Sequence, residues 1–194
     1  QIPEGVVYKE ATSVAVSSED NVYVYNRGTI PMLVFNPDGK LIGSWGQGFF
    51  TQPHGITIGP DDEIFCVDNG EHTVKKFTPD GDLLLTIGTP GIHSERMSGI
   101  PFNRPTHLAI DPKNGTLYIS DGYGNARVHR YDLDGKYLNS WGESGTDPGE
   151  FNIVHNIAVD SQGLVYVADR ENHRIQIFAP EGEYIAQWVN FSRA

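Results

Sequence analysis

Two histidines occupy matching places in a chain that repeats itself four times. They open the segments HGITI, at His54, and HNIAV, at His155, and the two other repeats carry Thr12 and Thr106 at this place. Imidazole is the commonest metal ligand in proteins and suits zinc well. A typical catalytic zinc site has three protein ligands. Two histidines therefore indicate part of a metal site or, as the alternative, side chains that hydrogen-bond neighbouring loops.

Two arginines and a tyrosine form a second group of residues that could bind a ligand or take part in catalysis. Arg27 and Arg170 share one place in the turn after the second strand of their repeats, where the other repeats carry Asn69 and Gly122. A guanidinium there can bind a carboxylate through two hydrogen bonds, or form a salt bridge to an acid of a neighbouring repeat. Tyr123 lies in a turn that is one residue longer than its counterparts. Its phenol can act as a base or a hydrogen-bond donor, or its ring can pack on the loop as a lid.

The elements that must position these side chains are four copies of one phrase. In each copy an aromatic residue is followed four residues later by Gly, and these pairs are Phe35–Gly39, Phe77–Gly81, Tyr131–Gly135 and Phe178–Gly182. The aromatic residues are 42, 54 and 47 positions apart. Short strands repeated at such a period are typical of a β-propeller. The extra length before the third copy is the segment Thr89–Pro101, which we expect to be functional or mobile.

Alternating apolar residues separated by turn residues predict four antiparallel strands in each repeat. We therefore predict an all-β fold, a β-propeller of four-stranded blades at about residues 11–46, 53–88, 105–142 and 154–189, within a single domain spanning residues 1–194. Four blades can close a small propeller. The alternatives are that they form part of a six-bladed propeller, or that two chains associate to complete one. Cys66, the only cysteine, lies within a predicted strand and is expected to be a buried structural residue.

Composition limits the partners. The formal net charge of −11 disfavours a nucleic-acid backbone as a partner. A run of about 18 apolar residues, as a membrane-spanning helix needs, is absent, and no secretory leader is visible. We expect neither nucleic acid nor membrane as a partner, and the composition does not indicate a compartment.

Five segments carry a family resemblance: QPHGITI, RPTHLAI, SDGYGNAR, GEFNIVHNIAV and VADRENHRIQIF. The repeats resemble the NHL family of β-propellers, and within it the peptidyl-α-hydroxyglycine α-amidating lyases and their bacterial relatives. The resemblance implies a six-bladed propeller that splits a peptidyl-α-hydroxyglycine into a peptide amide and glyoxylate. It implies zinc held by His54 and His155, Tyr123 as the catalytic base, and Arg27 and Arg170 at the substrate carboxylate.

The resemblance also implies a structural calcium bound by backbone carbonyls, for which Val14 and Ile56 are the matching positions. The third zinc histidine and the calcium aspartate of the family would come from a later blade. The function expected on this basis is zinc-assisted C–N cleavage of a small or peptide substrate that bears a carboxylate. The alternative is a non-enzymatic NHL-repeat module that binds a protein or small ligand. A lactonase-type hydrolase is disfavoured, because the matching places carry His and Thr rather than acids.

Overall fold

Each repeat folds into one four-stranded antiparallel sheet in the computed structural model, which describes residues 7–189. The strands of blade 1 are β1 (Ala11–Val16), β2 (Val22–Asn26), β3 (Met32–Phe35) and β4 (Leu41–Trp45). Those of blade 2 are β5 (Pro53–Ile58), β6 (Ile64–Asp68), β7 (Thr73–Phe77) and β8 (Leu83–Ile87). Those of blade 3 are β9 (His107–Ile110), β10 (Leu117–Asp121), β11 (Arg127–Tyr131) and β12 (Tyr137–Trp141).

A short parallel pair, β13 (Glu143–Ser144) and β14 (Glu150–Phe151), precedes the last blade. The strands of blade 4 are β15 (Val154–Val159), β16 (Val165–Asp169), β17 (Arg174–Phe178) and β18 (Tyr184–Trp188), with a 3₁₀ turn over Arg170–Asn172. Strands follow one another in each sheet in chain order. The prediction of an all-β fold with four strands per repeat is confirmed. Within residues 7–189 no helix has the length and apolarity needed to cross a membrane.

The first strands of successive blades contact one another, β1 with β5, β5 with β9, and β9 with β15. This arrangement places the starts of the first strands, which carry the candidate histidines, at one end of a shared inner surface. Hydroxyl groups reinforce it, since Thr57 donates a hydrogen bond to the Leu108 carbonyl of the next blade at 2.6 Å.

Apolar side chains fill the spaces between neighbouring blades. Separate clusters lie between blades 1 and 2, 2 and 3, and 3 and 4. Cys66 is fully buried in the first of them, and burial raises the pKa of its thiol, as expected of a structural cysteine. Within the described residues no such cluster joins blade 4 to blade 1, so the four blades form an open arc.

The repeated aromatic–glycine pair explains how blades fit together. Phe77 packs on Trp45 of the preceding blade, with ring centroids 5.0 Å apart, and Phe178 packs on Trp141 at 5.6 Å. The glycines of these two hairpins leave room for the same tryptophans, because a Cβ at Gly81 would lie 2.6 Å from the Trp45 ring and a Cβ at Gly182 would lie 2.6 Å from the Trp141 ring. The aromatic–glycine pair that marks the repeat therefore forms part of the interface between neighbouring blades.

Candidate functional site

β-Bulges present the candidate histidines. In blade 2, Pro53 pairs with Asp68 and Gly55 with Val67, which leaves His54 as an extra residue in the first strand. His155 is the extra residue between Val154 and Asn156, and Thr12 occupies the same place in blade 1. A bulge bends the strand and re-aims its side chain.

The two histidines and Tyr123 converge on one point. The Tyr123 hydroxyl lies 3.4 Å from Nε2 of His54 and 3.1 Å from Nε2 of His155. The two imidazole rings are 5.3 Å apart between centroids and nearly perpendicular. Tyr123 is 69 positions from His54 and 32 positions from His155 in the sequence, so the arrangement of the blades brings the three side chains together.

Hydrogen bonding and burial fix the state of the imidazoles. Nδ1 of His54 lies 2.7 Å from the Thr106 carbonyl, and because a carbonyl only accepts, Nδ1 carries the hydrogen and Nε2 presents a lone pair. Burial, with smaller contributions from His155 and Arg27, lowers the pKa of His54 to about 4 against the opposing hydrogen bond to Thr106. The pKa of His155 is lowered by burial and then by Arg170, with Glu171 opposing. Both rings are therefore neutral near pH 7, the form that binds metal.

Arg170 reaches the convergence point. Its Nη1 atom donates to the Tyr123 hydroxyl at 3.3 Å, and its Nε atom bonds Glu171 at 3.1 Å. Arg27 donates from Nε to the Pro53 carbonyl at 3.2 Å, next to His54, and no salt bridge to it is found among residues 7–189. The structure thus brings Arg27, Arg170 and Tyr123 to the two histidines.

The longer turn that carries Tyr123 is hydrogen-bonded to the long segment before blade 3. The backbone N–H of Met97, in the long segment before blade 3, donates to the Gly124 carbonyl at 2.9 Å. Asn125 donates to the Ile100 carbonyl of the same segment at 2.9 Å. The segment is thus tied to the turn that carries Tyr123.

A buried carboxylate anchors the same turn from inside the blade. Asp121, fully buried, accepts hydrogen bonds from the Asn103 backbone, the Asn125 amide and the imidazole of His129. The turn that presents Tyr123 is therefore held from both sides.

Arg104 is a residue of this site that sequence reasoning missed. Its guanidinium carbon lies 5.1 Å from the centroid of the Tyr123 ring, close to the 5.4 Å of Arg170. It belongs to RPTHLAI, one of the five resembling segments, but its left-handed backbone, with φ of 63°, has no signal in the residue type. The sequence shows that Thr106 occupies the place equivalent to His54 and His155, but it does not predict the contact between the Thr106 carbonyl and His54.

His107 is a third histidine near this site. Its place one residue after Thr106 predicts a side chain on the opposite face, and it contributes slightly to lowering the pKa of His54. It lies beside Gly55, where a Cβ would come within 2.8 Å of its ring. Burial lowers the pKa of His107 to about 4, and its Nδ1 atom is buried without a partner among the described residues.

The donor set fits zinc in part. Two Nε2 lone pairs face one point, and the His54 ring is oriented by a carbonyl on its other nitrogen, as metal-binding histidines usually are. Among residues 7–189, however, no group of three or more His, Cys, Asp or Glu side chains is placed to hold a metal ion. Zinc at His54 and His155 stays a prediction.

The calcium assignment also stays a prediction. Val14 and Ile56 lie in β1 and β5, which contact each other. Val14 is 60% exposed, whereas Ile56 is buried.

Comparison with known proteins finds NHL repeats in this chain and proteins similar to it in sequence. The NHL repeat family matches residues 102–131 and 151–178. NHL repeat-containing protein 3 of Homo sapiens is 38% identical over 190 residues, which cover 91% of this chain and 54% of that protein. Peptidyl-alpha-hydroxyglycine alpha-amidating lyase 1 of Drosophila melanogaster is 36% identical over 168 residues, covering 78% of this chain and 30% of that protein. The chain thus spans about half or less of the length of these relatives.

A solved structure shows the same fold. A catalytically inactive virginiamycin B lyase of Staphylococcus aureus with quinupristin superposes with a TM-score of 0.70 at 14% identity, over 93% of this chain and 55% of that one. At that identity the likeness concerns the fold alone. The chain thus carries NHL repeats at residues 102–131 and 151–178, has the four-stranded blades of a β-propeller, and is similar in sequence to NHL repeat-containing protein 3 and to the amidating lyases.

Proposed function

We propose that this chain is a peptidyl-α-hydroxyglycine α-amidating lyase-like protein, which releases glyoxylate by zinc-assisted C–N cleavage. The supporting observation is the convergence of His54, His155 and Arg170 on the Tyr123 hydroxyl, at 3.4, 3.1 and 3.3 Å. It combines neutral imidazoles, a phenol and a cation at one point. Such a set suits proton transfer at a hydroxyl group next to a carboxylate.

Each residue has a distinct role in the proposed reaction. Arg27 and Arg170 would bind the carboxylate of the hydroxyglycine and fix its orientation. Tyr123, as the phenolate left when its own proton has gone to solvent, would accept the proton of the substrate hydroxyl. The oxygen electron pair would then form the carbonyl of glyoxylate as the C–N bond breaks, and the leaving amide nitrogen would take the bonding pair and the proton that Tyr123 has just accepted. His54 and His155 would hold zinc, which when bound supplies Lewis acidity that eases loss of the hydroxyl proton.

The alternative is a non-enzymatic NHL module that binds a ligand at the same place. The observation in its favour is that only two histidines meet at this point among the described residues, and one similar protein bears no enzyme name. Self-association that completes the propeller is a related proposal. A solution mass of twice the chain mass would support it, and a monomer would contradict it.

The experiment measures zinc content and glyoxylate release from a peptidyl-α-hydroxyglycine. We expect stoichiometric zinc in the unaltered protein, its loss in His54→Ala and His155→Ala, and at least about a hundredfold slower release in Tyr123→Phe. Tyr137→Phe, at an exposed tyrosine of β12, is the matched control and should leave the rate unchanged. A folded protein with neither zinc nor glyoxylate release would exclude the lyase, and ligand binding without either would favour the module.

A further inference from the structure

Two hydrogen bonds position Arg104, which is an exposed residue. Its backbone N–H donates to Nδ1 of His72 at 3.0 Å, and its Nε donates to the Asn69 side-chain oxygen at 3.0 Å. Asn69 is itself buried, and its amide nitrogen reaches the Pro105 carbonyl at 3.3 Å. A non-glycine residue with φ of 63° persists only where its surroundings impose it. The hydrogen bond from Nε to Asn69 therefore orients the guanidinium.

The guanidinium lies against the same ring as Arg170. The distances of 5.1 and 5.4 Å from the Tyr123 centroid place two cations beside one phenol, within the reach of neighbouring groups of one small ligand. A difference between the blades explains why Arg104 lies beside Tyr123. Blade 2 has Asn69 where blades 1 and 4 have arginines, and Asn69 holds Arg104 instead.

Arg104 has donors to spare. Among residues 7–189, no carboxylate lies within salt-bridge distance of Arg104, whereas Arg170 is paired with Glu171. No hydrogen bond from its two terminal nitrogens is found among the described residues. These nitrogens form a fork that matches a carboxylate.

We propose that Arg104 forms a second carboxylate subsite beside Tyr123. The preferred ligand carries two carboxylates, one for Arg27 and Arg170 and one for Arg104. If the proposed function holds, on which the identity of the ligand rests, it is a peptide with an acidic residue directly before the C-terminal hydroxyglycine. The net charge of −11 disfavours nucleic-acid phosphate as the anion.

Calorimetric titration with two non-reacting peptides tests the subsite. Acetyl-Glu-Gly and acetyl-Gln-Gly lack the hydroxyl and differ only in the second carboxylate. We expect the unaltered protein to bind the Glu peptide about three- to tenfold more tightly. Arg104→Gln should bring the ratio to about one, and Arg104→Lys should keep part of it.

Arg96→Gln is the matched control, because it removes the same charge from an exposed arginine of the preceding segment; it should retain the preference. An equal preference in the unaltered protein and in Arg104→Gln, no preference at all, or binding of neither peptide would each overturn the subsite. Glyoxylate release is measured separately. Its absence alongside an Arg104-dependent preference contradicts the lyase and leaves the subsite standing.

Discussion

The interfaces inside the arc and the faces at its two ends carry the same residues in different surroundings. Gly182 belongs to a hairpin that meets the ring of Trp141 from the preceding blade, and a Cβ there would lie 2.6 Å from that ring. The equivalent Gly39 of blade 1 has nothing within 4 Å of its Cβ position. Likewise Trp188, the counterpart of Trp141, is 50% exposed. The repeated glycine and tryptophan thus form a contact between neighbouring blades, and within residues 7–189 Gly39 and Trp188 at the two ends have no such partner.

The largest effect is expected from the tryptophans. Trp141→Ala should lower the free energy of unfolding by about 3 kcal/mol, because it empties the space between Phe178 and Tyr118. Trp188→Ala, which removes a half-exposed ring against Tyr166, should cost about 1 kcal/mol. Urea denaturation compares the two. Equal losses would show that the end face is as tightly packed as the interior.

The glycines sharpen the comparison without removing any contact. Gly182→Ala introduces a methyl group against Trp141 at a φ of +98°, and we expect a loss of about 2–3 kcal/mol. Gly39→Ala has a similar left-handed backbone, with φ of +75°, but open space, so only the backbone cost of about 1 kcal/mol should remain. Denaturation midpoints of the two variants measure the difference. A Gly39→Ala protein as unstable as Gly182→Ala would rule out the interface as the cause.

Acid should weaken the interior at β5 and β9, where His107 lies. Its pKa of about 4 is below the ordinary value of about 6.5, so the unfolded chain takes up the proton first as the pH falls. Stability is therefore lost between pH 6.5 and 4, by about 2 kcal/mol at pH 5. His107→Leu should remove that part of the pH dependence, as measured by urea unfolding at pH 7 and pH 5.

Leu108→Ala is the control for this measurement, since it destabilises the same strand without a titrating group. It should keep the full pH dependence. His54 and His155 are present in all three proteins and cancel in the comparison. An unchanged pH dependence in His107→Leu would place the acid sensitivity elsewhere.

The repeat made the blades predictable, because its aromatic and glycine residues are determined by packing between neighbours. The side chains His54, His155, Arg27, Arg170 and Tyr123 were found by asking where the copies differ, and the structure brings all five together. Their roles in catalysis and metal binding stay predictions.

What the sequence did not indicate was backbone geometry. The left-handed conformation of Arg104 depends on its hydrogen bonds to Asn69 and His72, which are distant in sequence. The link between the long segment at Thr89–Pro101 and the turn of Tyr123 was also missed, although both insertions fall around the same blade.

The bulges that carry Thr12, His54 and His155 have a consequence for how such a protein can change. A residue outside the strand pairing can be exchanged without disturbing the ladder on either side, so the chemistry at the axis is separable from the stability of the blade. Single substitutions at these equivalent bulge positions then determine how many groups, and of what kind, face a ligand. One scaffold can in this way host a metal enzyme, a binding module or neither.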